Sequence, residues 1–209
     1  MNDKRLTVDD GQQTADGKRR TRTDSPLGTG CWKIDNTWTL FLDRDGVINQ
    51  RTPGAYVTDI EEFEFIDGVL NALRFFATIF EKIVVVTNQQ GVGKGLMTET
   101  QLVQIHRHMQ AQIEQAGGRI DAIYYCPELA EDNPECRKPN TGMAHQAQAD
   151  FPEIDFEKSI MVGDSATDME FAFRLGMKTV FIQTKPEDAA AAKDLPIDFR
   201  CDTLMEFAT

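Results

Sequence analysis

The sequence has no long apolar run, little cysteine and a shortage of positive charge. No stretch approaches the roughly 20 apolar residues that a membrane-spanning helix needs, which argues against a membrane partner. The first residues form no apolar segment, so no secretory signal is expected. The four cysteines, Cys31, Cys126, Cys136 and Cys201, are too sparse over 209 residues for a disulfide scaffold. A reduced, cytoplasmic protein is the resulting expectation. Lys and Arg number 22 against 34 Asp and Glu, a net charge of −12, which makes a nucleic-acid surface a poor fit. The remaining composition, 41% hydrophobic and 27% charged, is that of an ordinary soluble domain with a full core.

Residues 1–33 carry seven of the basic side chains against five aspartates, have no apolar period and read as a flexible polar tail. The run KRRTR at 18–22 offers a weak polyanion contact, although a solvated tail explains it as well. The folded domain is expected over 34–209. From Thr37 onward, short apolar runs alternate with segments of helical period. Strands are expected at 37–43, 83–88, 120–126, 159–164 and 178–183. Helices are expected at 67–82, after Thr98, at 142–150 and at 165–176. Thr98 and Gln101 have the spacing of a capping box, and Leu102, Ile105, Met109 and Ile113 form one stripe that Gly117 and Gly118 end. This order predicts an α/β fold, a three-layer Rossmann-like parallel sheet with helices on both faces.

Ligands of such sheets lie outside the carboxyl ends of the strands. There the sequence places DRDG (43–46), then TNQQG (87–91), then GDSATD (163–168), with CRKP (136–139) before the fourth strand. Carboxylates gathered at one edge need a cation, and hard oxygen ligands suit Mg²⁺ with substrate phosphate. A lysine and a threonine hydroxyl suit the remaining phosphate oxygens. The pattern outlines a phosphoryl-transfer site in which Asp43 serves as nucleophile and metal ligand and Asp45 as proton donor.

DRDGVIN, VVVTNQQGVGKG, CRKPNTGM and GDSATDM, in this order, resemble the four motifs of the haloacid dehalogenase-like superfamily. The resemblance runs from about Trp38 to the C-terminus. It is strongest to the uncapped branch that holds the heptose 1,7-bisphosphate phosphatases and the histidinol phosphatases, with GAYV (54–57) and FEFIDGV (63–69) similar to the heptose enzymes. It implies a Mg²⁺-dependent phosphomonoesterase with no separate cap domain, acting on a small phosphorylated metabolite, foremost the 7-phosphate of heptose 1,7-bisphosphate. Histidinol phosphate is the alternative, and a nucleic-acid 3′-phosphate or a non-catalytic binding protein is disfavoured. Asp43 is then the nucleophile and Asp45 the acid and base. Thr87 and Lys138 meet the phosphoryl group. Asn88, Gln89 and Arg137 contact substrate. Asp43, Asp164 and the Asp45 carbonyl hold Mg²⁺, while Asp168 supports them without being a ligand.

One loop departs from the family. The relatives hold a structural zinc through Cys-x-His and Cys-x-Cys, whereas the matching positions here are Cys126, Glu128, Pro134 and Cys136. With no ligand at Pro134, structural zinc is not expected. Cys126 and Cys136 then read as small residues bracing the loop. The short loop resembles the histidinol-phosphatase form, and Ser165 stands where the heptose enzymes carry lysine. GVGKG (91–95) fails as a P-loop because Asn88 and Gly95 break the pattern. His106 and His108 read as surface residues, as does Lys94. No long apolar stripe is left unassigned, which favours a monomer.

Overall fold

The computed structural model describes Leu27 and residues 32–51, 56–184 and 186–209. Six strands form one sheet: β1 (Thr39–Leu42), β2 (Lys82–Asn88), β3 (Ala122–Cys126), β4 (Ser159–Gly163), β5 (Lys178–Ile182) and β6 (Phe199–Cys201). All neighbours are parallel, in the order β3-β2-β1-β4-β5-β6. The chain therefore builds outward from β1 on one side and returns to build outward from β4 on the other. The carboxyl ends of β1 and β4 flank the point where the order reverses, which is where such sheets open a crevice.

The helices are α1 (Val69–Phe76), α2 (Glu99–Gln115), α3 (Gly142–Asp150), α4 (Ala166–Leu175), α5 (Pro186–Ala191) and α6 (Leu204–Ala208). Strand alternation sorts the core into two layers. Leu40, Leu42, Ile83 and Val85 point to one face and pack with Val69, Leu73 and Phe76 of α1, Ile105 and Met109 of α2 and Phe207 of α6. Phe41, Val84, Val86 and Met161 point to the other and meet Met143 and Ala147 of α3 and Phe171 and Ala172 of α4. Each Val, Leu, Ile, Met or Phe side chain among these, fully buried, contributes about 1.5–3 kcal/mol.

The Thr98–Gln101 capping box is present and starts α2. Helix α1 is shorter than its period suggested. Gly68, at φ 81°, caps its start, and the chain turns after Phe76, so Phe80 is buried from a turn. Strand β6 and helix α6 were not anticipated. The expected tail falls outside the described residues except Leu27, Trp32 and Lys33, and Cys31 and Gly54–Ala55 lie outside them too. Trp32 packs its ring edge against Phe207, with centroids 6.4 Å apart. Between β2 and β3 stands the single helix α2, and no described helix is long and apolar enough to cross a membrane.

Candidate active site

Residue 43 is the first after β1, and its N–H still bonds to the Val162 carbonyl of β4 at 2.9 Å. The sheet thus delivers Asp43 beside Asp164, the first residue after β4. Asp168 comes from the opening turn of α4, where Ser165 caps the helix and the Asp168 carboxylate returns the bond to the Ser165 N–H at 3.0 Å. The carboxylates of Asp43, Asp164 and Asp168 converge to within 4.8 Å of one another, all buried. Gly46 closes the turn at φ 91°, and a side chain there would run into the Asp164 carboxylate.

Lys138 enters this cluster from the loop after β3 and is 2% exposed. Its ammonium donates to Asp43 Oδ1 at 2.8 Å and to the Val86 carbonyl at 2.7 Å, and it forms an ion pair with Asp168 Oδ1 at 2.6 Å. Asn88 fixes the approach of that loop. Its Nδ2 donates to the Lys138 carbonyl at 3.1 Å, and the Lys138 N–H donates to its Oδ1 at 3.0 Å. Burial lowers the Lys138 pKa, but the charges of Asp168 and Asp43 outweigh it and leave it raised. One ammonium cannot offset three carboxylates. Burial, with repulsion from Asp168 and Asp45, raises the Asp43 pKa to about 6 although Lys138 opposes the rise. Burial, with repulsion from Asp43 and Asp168, raises that of Asp164 to about 7. Two negative charges in excess of the lysine fit a divalent, oxygen-loving ion, and Mg²⁺ suits this donor set. Asp43 and Asp164 are the side chains that would hold it.

Asp45 is absent from this cluster. Its carboxylate turns away and accepts from Arg44 Nη2 at 2.8 and 3.0 Å, Asn49 Nδ2 at 3.0 Å and Gln89 Nε2 at 2.8 Å. Burial alone would raise its pKa, but the Arg44 charge and these bonds hold it below the usual carboxylate range. Gln89 also donates to the Thr87 hydroxyl at 2.8 Å, tying Thr87 to the same network.

A cavity of about 300 Å³ opens over these groups, lined also by Arg51, Tyr56, Gln90, Arg137 and Thr167. Every residue selected from the sequence lines it: Asp43, Asp45, Thr87, Asn88, Gln89, Arg137, Lys138 and Asp164. Lys94 Nζ and Gln90 Nε2 both donate to the Tyr56 hydroxyl, at 3.0 and 2.9 Å. Arg51 Nη1 lies 3.4 Å from Asp164 and from Asp188. Sequence reasoning did not select Arg51, which belongs to no motif, or Tyr56, although Tyr56 lies in the GAYV segment that resembles the heptose enzymes.

Three readings need correction. His106 is not a surface residue: it is 4% exposed and meets Arg44, because it follows Leu102 by four positions and precedes Met109 by three, on the flank of the apolar stripe. His108 is half-buried, its ring edge-on to Phe63 at 6.2 Å. The cysteines of the departing loop are not free thiols. Cys126 ends β3, the loop folds back so that Cys136 lies 5.3 Å away between Cα atoms, and the two are joined as a disulfide. Glu128 Oε1 stands 3.8 Å from Cys136 Sγ. Sequence separation alone could not reveal this return.

Comparison with known proteins converges on one family. A HAD-hydrolase-like family model matches residues 135–207. The D-glycero-alpha-D-manno-heptose-1,7-bisphosphate 7-phosphatase of Mycobacterium tuberculosis is 39% identical over 176 residues, covering 84% of this chain and 92% of that protein. The D-glycero-beta-D-manno-heptose-1,7-bisphosphate 7-phosphatase of Salmonella typhi is 40% identical over 161 residues, covering 73% of this chain and 84% of that protein. Among solved structures, the D,D-heptose 1,7-bisphosphate phosphatase from B. bronchiseptica, complexed with magnesium and phosphate, superposes with a TM-score of 0.73 at 30% identity, covering 82% of this chain and 96% of that one.

Proposed function

Because the chain belongs to the haloacid dehalogenase-like superfamily, in the branch of the heptose 1,7-bisphosphate 7-phosphatases, we propose that it removes the 7-phosphate of D-glycero-D-manno-heptose 1,7-bisphosphate. The observation that carries this reading is the Lys138 ammonium enclosed by Asp43 and Asp168 on the floor of a polar cavity. It supports reading Asp43 as a carboxylate nucleophile and Lys138 as a fixed positive charge beside an entering phosphoryl group.

Asp43 attacks phosphorus, the bond from phosphorus to the sugar oxygen breaks, and an aspartyl-phosphate forms on Asp43. Asp45 gives its proton to the departing oxygen. It then takes a proton from the water that attacks the same phosphorus, which releases phosphate, frees Asp43 as a carboxylate and leaves Asp45 protonated for the next turnover. The clamp around Asp45 holds the ionised carboxylate that stands between the two halves. An ionised carboxylate is drawn to the donors of Arg44, Asn49 and Gln89, whereas a protonated one sets O–H against N–H and turns toward substrate. Thr87 donates to the phosphoryl group and Lys138 offsets its charge. Asn88 and Gln89 act on substrate through the groups they hold, Lys138 and Asp45. Mg²⁺, when bound by Asp43 and Asp164 with the Asp45 carbonyl, supplies Lewis-acid charge for the phosphoryl oxygens.

A bisphosphate carries a second anion. Arg137 Nη1 is buried with no hydrogen-bond partner among the described residues, and its side chain lines the cavity. We assign it to the phosphate that is not cleaved. All these groups come from one chain, so a monomer suffices. Structural zinc has no part in this reading.

The short loop ending at Cys136 favours histidinol phosphate as the second substrate to test. Phosphate release is measured with Mg²⁺ on both anomers of heptose 1,7-bisphosphate and on histidinol phosphate, with Asp43→Asn as the blank. A preference of about 10²-fold or more in kcat/KM for a heptose anomer supports the assignment. Equal, low rates on all of them would overturn it.

A further inference from the structure

The clamp on Asp45 continues behind the cavity. Arg44 is fully buried, and while Nη2 and Nε face Asp45, its remaining nitrogen Nη1 lies 3.1 Å from Nε2 of His106. Arginine has only donors, so Nε2 must accept, and the proton of the neutral ring sits on Nδ1. Burial and the Arg44 charge push the His106 pKa down to about 3, in keeping with a neutral ring. The ring itself has little freedom. Ile105 and Met109 anchor α2 in the core on either side, and the Tyr125 ring stands edge-on at 5.6 Å. His106 does not line the cavity, so any influence on the reaction passes through Arg44.

We propose that His106 is a positioning residue for proton transfer: by accepting from Arg44 Nη1 it fixes the guanidinium plane against which Asp45 is held. This rests on the reading of Asp45 as the proton carrier. A buried guanidinium deprived of one acceptor turns toward others, and the Asp45 carboxylate it grips moves with it. If the pair served the fold alone, its loss would lower stability and slow all substrates alike.

Leaving-group dependence separates the two. A primary alkyl phosphate expels an alkoxide that needs the Asp45 proton, whereas p-nitrophenyl phosphate expels a stable phenolate that hardly does. The ratio of kcat/KM for the alkyl ester to that for the aryl ester therefore reports proton donation. Asp45→Asn sets the scale, and an unchanged ratio in it would refute the role of Asp45 independently of His106. His106→Met, similar in size but without the acceptor, is expected to lower the ratio by about 10-fold or more. His106→Gln, whose amide oxygen can occupy the place of Nε2, is expected to return it to within about threefold of wild type. A wild-type ratio in His106→Met, whatever the overall rate, overturns the proposal. If that variant does not fold, Arg44→Lys carries the test: its ammonium cannot span from Asp45 to His106, so a similar fall is expected and an unchanged ratio refutes the relay.

Discussion

Asp43 and Asp45 are two residues apart and live in opposite surroundings. Asp43 sits among Asp164 and Asp168 with one lysine between them, and its pKa is pushed up to about 6. Asp45 sits among Arg44, Asn49 and Gln89, and its pKa is held down. Chain alternation does not produce this split, because β1 ends at Leu42 and Asp45 already lies in the turn beyond it. Arg44 produces it, by folding inward beneath the turn to take the second carboxylate away from the first. The cluster with surplus negative charge suits a divalent cation and a nucleophile. The neutralised carboxylate suits a group that carries a proton between two positions.

The largest expected effect comes from removing the nucleophile. Asp43→Asn should lower kcat by a factor on the order of 10⁴ or more while the fold persists, measured as phosphate release from pure protein. Asp45→Asn should lower kcat/KM by about 10²–10⁴ on an alkyl phosphate and by much less on an aryl one. Equal losses on both esters would abolish the distinction between the two aspartates. Lys138→Ala should lower the rate by roughly 10² or more, since a fixed positive charge is lost from the transition state. A near-wild-type rate would show that another cation serves the phosphate.

Stability should show the same contrast more quietly. Asp43 and Asp164, raised to about 6 and about 7, bind protons more tightly folded than unfolded. Their contribution is therefore complete below the ordinary carboxylate range and is lost as pH rises through 6 to 7. Mg²⁺ offsets that loss, so the Tm gain on adding Mg²⁺ should be larger at pH 8 than at pH 5, by about 3 °C or more. His106, depressed to about 3, has the opposite pH dependence with and without Mg²⁺ and cancels in this difference. An equal gain at both pH values would place the ion elsewhere. The smallest effect concerns the loop that carries Arg137 and Lys138. Replacing Cys126 and Cys136 by serine should cost about 2–3 kcal/mol of stability and raise KM a few-fold with little change in kcat.

The centre was legible in the sequence because buried parallel strands read as apolar runs and their ends carry the polar residues. Asp43, Thr87 and Asp164 stand at the carboxyl ends of such runs, and the motif order adds Asn88 and Lys138. Residues whose role depends on a tertiary return were not legible. His106 shares its helix face with Leu102 and Met109, but only the path of Arg44 makes that burial meaningful. The disulfide needs the loop to double back onto β3. Strand β6, three residues long, and helix α6, five, are too short to declare themselves by period. They form because Leu204 and Phe207 are buried against the sheet.

The division of labour between the two aspartates is tested most directly by giving Asp45→Asn p-nitrophenyl phosphate and quenching in acid. The good leaving group departs without its proton, and hydrolysis of the intermediate then lacks its base. The account predicts a burst of nitrophenol close to one equivalent and a phosphoryl adduct on Asp43 by peptide mass spectrometry. No burst and no adduct, or an adduct on another residue, would contradict it.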